Sequence, residues 1–259
     1  MQGSFEKDVV ITGGSAGLGL AMARALIGRG ARVTALARDP EKLADAERSG
    51  AITIAGDATD AALMNRIVAD EQPDVLILNA GCRLPMGPID EQTWTSFSAM
   101  WETDVKATLL GIQAALKTPM KPGSRVLITS SGAAMVLGVP FIKPEALRLS
   151  GGCIGAKRMQ WFMAHSANAV ARERGLGIRF QVILPMQLIG GTAHGRHVAA
   201  TYAEIEGVTP EQHILDTYGT VLQPEQIGEH VTELLTDPRY ASGVAYGIRA
   251  GTGIVPLDV

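Results

Sequence analysis

Cys153 and Lys157 are residue types able to do chemistry, at a spacing that brings them together. They lie four apart in a helical pattern running from Cys153 to Arg174, so both side chains project from one helix face. A thiol has an ordinary pKa of about 8.5, and a neighbouring ammonium group favours its thiolate. An inert buried cysteine is the competing reading. A second stretch, Thr12-Gly13-Gly14-Ser15-Ala16-Gly17-Leu18-Gly19, is built to hold phosphate. It follows the apolar run Val9-Val10-Ile11 and leads into an amphipathic pattern ending at Ile27. Its glycines permit positive φ and close backbone approach. The helix start behind them offers unpaired N–H groups and a positive dipole end. Strand, glycine turn and helix in that order make a dinucleotide fingerprint specific.

Three further positions bear on such a ligand. Arg38 follows the apolar run Ala31–Ala37. A ribose 2′-hydroxyl is read by an acidic side chain and a 2′-phosphate by a guanidinium, so Arg38 points to NADP(H) over NAD(H). The alternative pairs Arg38 with Asp39 or Glu41 on the surface. Asp57 can bond an adenine amine or cap a helix beginning near Thr59. Asn79-Ala80-Gly81 can bring backbone close to a ribose or form an ordinary turn.

Elements able to position these residues alternate along the chain. Strands are expected at 9–11, 31–37, 51–55, 74–78, 125–129, 178–184 and 243–249, and helices at 20–27, 40–48, 61–69, 153–174 and 224–235. Residues 91–116 carry a long helical pattern, broken or double. Residues 133–152 read as loop, and 197–205 as a helical patch in a glycine-bearing segment. This alternation predicts an α/β, Rossmann-type, doubly wound parallel sheet of about seven strands with helices on both faces. Ligands then bind beyond the carboxyl ends of the strands, where strand order reverses. One domain is expected over residues 1–259, with a substrate-binding lid around 185–217.

Bulk properties narrow the function. The 259 residues are 46% hydrophobic and carry a net charge of −3, which argues against a nucleic-acid or anionic-membrane surface. No signal peptide and no membrane-spanning run is expected. Two cysteines suggest neither a disulfide framework nor a metal site, and a cytoplasmic location fits them.

Taken together, these motifs resemble the short-chain dehydrogenase/reductase family over essentially the whole chain. The 12–19 stretch resembles its TGxxxGxG loop, and Asn79-Ala80-Gly81 its NAG motif. The resemblance implies cofactor contacts at Gly13, Ser15, Ala16, Gly17, Leu18, Gly19, Arg38, Asp57, Ala58, Asn79, Ala80, Gly81, Lys157, Pro185 and Leu188. It implies that Ser131, from Ser130-Ser131, holds the substrate oxygen. Lys157 would bind the ribose and supply charge. Long helices around 100–117 and 153–174 would pair subunits as a homodimer or homotetramer.

The sequence departs from the family where the reaction would occur. Cys153 stands where the family carries its acid/base tyrosine, and Asp104 where it carries asparagine. Met186 replaces the usual glycine after Pro185, Ala16 stands where many NADP-preferring relatives have a basic residue, and 141–148 reads as an insertion at the site rim. A cysteine is shorter than tyrosine by a phenyl ring and a weak hydrogen-bond donor. The leading expectation is an NADP(H)-dependent oxidoreductase interconverting a carbonyl and an alcohol, with Ser131, Cys153, Lys157 and Asp104 at its centre. Cys153 would be impairing, or replaced by water or Lys157 as proton source. The rival is a dinucleotide-binding sensor or structural protein without turnover. His194, Arg196 and His197 in the lid invite an anionic substrate.

Overall fold

The computed structural model describes residues 4–135 and 149–258. Eight strands form one sheet: β1 (Asp8–Thr12), β2 (Arg32–Ala37), β3 (Ile52–Ala55), β4 (Val75–Leu78), β5 (Arg125–Thr129), β6 (Arg179–Pro185), β7 (Ala245–Arg249) and β8 (Gly253–Pro256). Their order is β3-β2-β1-β4-β5-β6-β7-β8. All neighbours are parallel except β7 and β8. All seven expected strands form. The short hairpin partner β8 was not legible, because its four partly exposed residues carry little alternation.

The helices are α1 (Gly17–Ile27), α2 (Pro40–Arg48), α3 (Ala61–Glu71), α4 (Trp94–Met100), α5 (Lys106–Lys117), α6 (Cys153–Glu173), α7 (Ala193–Glu206), α8 (Pro210–Tyr218) and α9 (Pro224–Thr236). Successive strand side chains point to opposite faces. Val9 and Ile11 therefore pack with Met22 and Leu26 of α1, Leu43 of α2 and Val231 of α9. Val10 packs on the other side with Met64 of α3, Ile112 of α5 and Ala164 of α6. Coverage on both faces is why the strands read as continuous apolar runs.

Several boundaries differ from expectation. The 91–116 pattern resolves into α4, a π-helical turn at Trp101–Val105, and α5. Helix α3 starts at Ala61, capped by the Asp60 side chain, so Asp57 does not cap it. Helix α7 begins at Ala193, ahead of the expected patch. Helix α8 was missed, although Thr209 and Pro210 are suitable start residues. The loop expected at 133–152 falls largely, and the insertion at 141–148 wholly, outside the described residues. Among the described residues no helix is long and apolar enough to cross a membrane.

Strand order reverses between β1 and β4. Thr12, the last residue of β1, fastens that junction: its hydroxyl accepts from the Asn79 and Ala80 amides at 3.0 and 3.1 Å. The Asn79 side-chain amide in turn donates to the Gly13 carbonyl at 3.3 Å.

Candidate active site

A cleft of about 470 Å³ opens at the carboxyl ends of the strands around this junction. Gly13, Ser15, Ala16, Gly17 and Leu18 line it. Gly13 has φ +70°, and a Cβ there would meet Ala80 Cα at 2.9 Å. Gly19 lies outside the lining; a Cβ on it would run into the Gly13 carbonyl oxygen, so its part is to let α1 close on the turn. Helix α1 begins at Ala16 without a side-chain cap, whereas α2, α3, α4, α7 and α8 are capped by Asp39, Asp60, Thr93, Thr192 and Thr209. Helices α5 and α6 also lack a side-chain cap; the uncapped start of α1 faces the cleft, leaving N–H donors for an anion.

Arg38, Asp57 and Ala58 also line the cleft. Asp39 is committed to capping α2 and to Lys42 at 3.1 Å. Arg38 has no hydrogen bond or ion pair among the described residues, so the expected surface pairing with Asp39 or Glu41 does not form. Asp57 accepts from the Thr59 amide and hydroxyl at 2.8 and 2.9 Å. Those bonds, chiefly the amide, hold its carboxyl below the usual carboxylate range, with Arg38 adding to the effect. Lys42, a second basic residue at this end, was missed; its place in the first turn of α2, four residues after Arg38, was the available signal.

At the other end Asn79, Ala80, Gly81, Ser131, Asp104, Lys157, Pro185 and Leu188 line the same cleft. Asp104 sits in the π turn and is only 1% exposed. A π turn inserts one residue into the helical register and is frequent at functional sites. One Asp104 oxygen accepts from the Cys82 amide at 2.8 Å and the Thr103 hydroxyl at 3.0 Å. The other pairs with Lys157 Nζ at 3.0 Å. Gly81 makes room for this: a Cβ there would lie 2.8 Å from Asp104 Oδ2. Ser130 Oγ donates to the Lys157 carbonyl at 2.8 Å, tying α6 to the end of β5. Ser131 Oγ accepts from the Ala133 amide at 3.2 Å.

Cys153, like Gly19, is an expected residue outside the lining. It is buried with Leu84, Met100, Ala156 and Val198 and does not line the cleft. Burial pushes its thiol up to about 11; the Lys157 charge acts in the opposite direction and is outweighed. Burial also raises the Cys82 thiol. Gln187 was not singled out from the sequence, yet it lines the cleft and anchors the segment after β6, bonding the Thr220 carbonyl at 3.1 Å and the Ala250 amide at 2.7 Å. The start of α7 reaches the cleft as Thr192, Ala193, His194 and Gly195.

Residues 7–142 match the family model described as short chain dehydrogenase. The chain belongs to the short chain dehydrogenase family. Among curated relatives, the cis-4-hydroxycyclohexanecarboxylate dehydrogenase of Sinomonas cyclohexanicum is 26% identical over 242 residues, covering 90% of each chain. The 2-(S)-hydroxypropyl-CoM dehydrogenase 3 of Xanthobacter autotrophicus is 24% identical, covering 97% of this chain and 98% of that one. The L-sorbose reductase of Gluconobacter frateurii, solved with NADPH and L-sorbose, superposes with a TM-score of 0.77 at 21% identity, covering 96% and 97% of the two chains. Levodione reductase gives 0.78 at 20% identity, covering 96% and 98%. These solved structures share the fold of this short chain dehydrogenase. Relatives named as dehydrogenases and reductases place it among oxidoreductases.

Proposed function

We propose that this chain is an NADP(H)-dependent oxidoreductase interconverting a carbonyl and an alcohol on a small molecule. One observation carries the reading: a single cleft joins the glycine turn and the unpaired Arg38 to Ser131 and Lys157. The residues fit a dinucleotide. The uncapped start of α1 suits the pyrophosphate, and Arg38 with Lys42 suits a 2′-phosphate. Asp57 and Ala58 suit the adenine, and the Asn79-Ala80-Gly81 backbone and Lys157 the ribose. Pro185 and Leu188 then flank the nicotinamide. Bound there, the dinucleotide supplies or takes up hydride.

Ser131 holds the substrate oxygen. Lys157 supplies a cation whose place is fixed by Asp104. Residues 185–217 serve as the lid of a single domain spanning 1–259, in a cytoplasmic homodimer or homotetramer that takes neither nucleic acid nor membrane as partner. The relatives' names, two of them built on a hydroxylated small molecule, support an alcohol or carbonyl substrate. Burial of Cys153 away from the cleft favours a second reading, dinucleotide binding without turnover.

Calorimetric titration tests the cofactor assignment. Arg38→Ala is expected to weaken NADPH binding about 10- to 100-fold, the equivalent of a lost charged hydrogen bond of about 1.5–3 kcal/mol. NADH binding should stay nearly unchanged. Equal losses for both would refute the 2′-phosphate role.

A further inference from the structure

We propose that His194, in the first turn of α7, is the group that takes the proton from the substrate alcohol and returns it to the carbonyl. This rests on the oxidoreductase reading above. Moving hydride between a carbonyl and an alcohol leaves one proton to be exchanged at the substrate oxygen, with a positioned group that reaches that atom directly or through one water. The position expected to do so is closed. Cys153 lies in an apolar cluster outside the cleft, and its thiol is neutral at ordinary pH.

Among the described residues, the other candidates at this end of the cleft are committed or poorly suited. Lys157 Nζ is paired with Asp104, and both Asp104 oxygens are engaged. Ser130 donates to the Lys157 carbonyl. The half-buried Cys82 thiol also lines the cleft, but desolvation raises it. Ser131 has only a hydroxyl, which binds an oxygen well but does not hold a proton charge near neutrality.

His194 differs from the other four histidines of the chain. His165 bonds Trp161, His197 bonds Arg83 and the Leu84 carbonyl, His213 bonds Glu206, and His230 bonds Glu233. The His194 imidazole has no hydrogen-bond partner among the described residues, and it is the histidine that lines the cleft. The backbone that carries this exposed side chain is held in place. Thr192 caps α7 by accepting from the Gly195 amide at 2.9 Å, and Thr192 Cγ2 lies 3.6 Å from where a Cβ on Gly17 would be. The turn carrying His194 thus packs against the glycine turn.

The charged groups acting on the imidazole are Lys157 from α6, Asp104 from the π turn, and His197 one turn along α7. His194 is exposed on the cleft wall; the desolvation it meets there, the largest influence, together with Lys157 lowers it from its ordinary 6.5, and Asp104 opposes them. The ring is therefore neutral at pH 7 and ready to act as a base. In oxidation the alcohol carbon gives its hydrogen, with the bonding pair, to a bound oxidised nicotinamide dinucleotide. The O–H bond breaks, its proton passes to an imidazole nitrogen lone pair, and its electrons complete the C=O bond. The imidazolium then loses the proton to water. Reduction runs the same steps backwards.

The test compares the parent protein with His194→Gln and His194→Asn, which keep a polar group near one or the other ring nitrogen. The kcat for alcohol oxidation should fall about 10²- to 10⁴-fold in both variants, with dinucleotide affinity preserved in calorimetry. In the parent, kcat should rise with pH through a titration below 6.5. Both variants should lack that limb, and added free imidazole should restore part of the rate. Independently, the ring-carbon resonance of His194, followed by NMR in the cofactor-free parent, should titrate below 6.5. Variants that keep the parent's rate and acid limb, or a resonance titrating at or above 6.5, would overturn the role of His194 alone. A parent that turns over no alcohol or carbonyl would overturn the oxidoreductase reading and this role with it.

Discussion

At residue 153 two forces compete. The Lys157 charge favours the thiolate, and burial among Leu84, Met100, Ala156 and Val198 opposes it. Burial wins because Lys157 is already neutralised by Asp104 at 3.0 Å. The thiol should therefore react slowly near pH 7. Alkylation of Cys153, mapped by mass spectrometry, should speed up about tenfold per pH unit, as thiolate chemistry requires, and level off only near about 11. A plateau near neutrality would mean an activated thiolate. The spacing of four made the shared helix face with Lys157 legible in the sequence. It could not show which way residue 153 points, since its neighbours come from α4, α7 and the segment after β4. Arg38 was more legible, because the end of β2 is a fixed place in this fold. That Asp39 would be taken up by α2 and Lys42 was not visible until the helix start was placed.

Among the elements, the π turn at 101–105 carries the least expected consequence. It buries Asp104 beneath Gly81 and against Lys157, so an ion pair, with side chains 2% and 14% exposed, stands at the reaction end of the cleft. Removing one partner from a buried pair strands the other charge, at a cost of about 3–5 kcal/mol. Lys157→Met should lose stability on that scale in denaturant melts. Asp104→Asn combined with Lys157→Met should recover most of it, because no charge is left buried. If the double variant is as unstable as the single, the pair is not the source of the loss. The sequence showed a break in the 91–116 pattern but not its kind, since one inserted residue shifts the helical period too briefly to be read. The strands were readable because both sheet faces are covered. Short exposed elements such as β8 and α8 lack that signal.

For the whole molecule, the reversal of strand order between β1 and β4 decides where chemistry can occur. Thr12 fastens the two strands there, and residues from β1 through α7 converge on one cleft. Leu109 on α5 and Phe162 on α6 are exposed at 42% and 63%. Both lie on helices expected to pair subunits. The family and the doubly wound sheet were legible from motif order alone. The proposed route of the proton was not, because it depends on which side chains the start of α7 brings to the cleft. The central claim is turnover in that cleft. Its most direct test mixes the purified chain with NADP⁺ and a panel of small alcohols while following the absorbance of reduced nicotinamide. Alcohol-dependent formation of NADPH, faster than with NAD⁺, is the expected result. Saturable binding of the dinucleotide with no reduction on any alcohol, and no NADPH oxidation on the matching carbonyls, would contradict it.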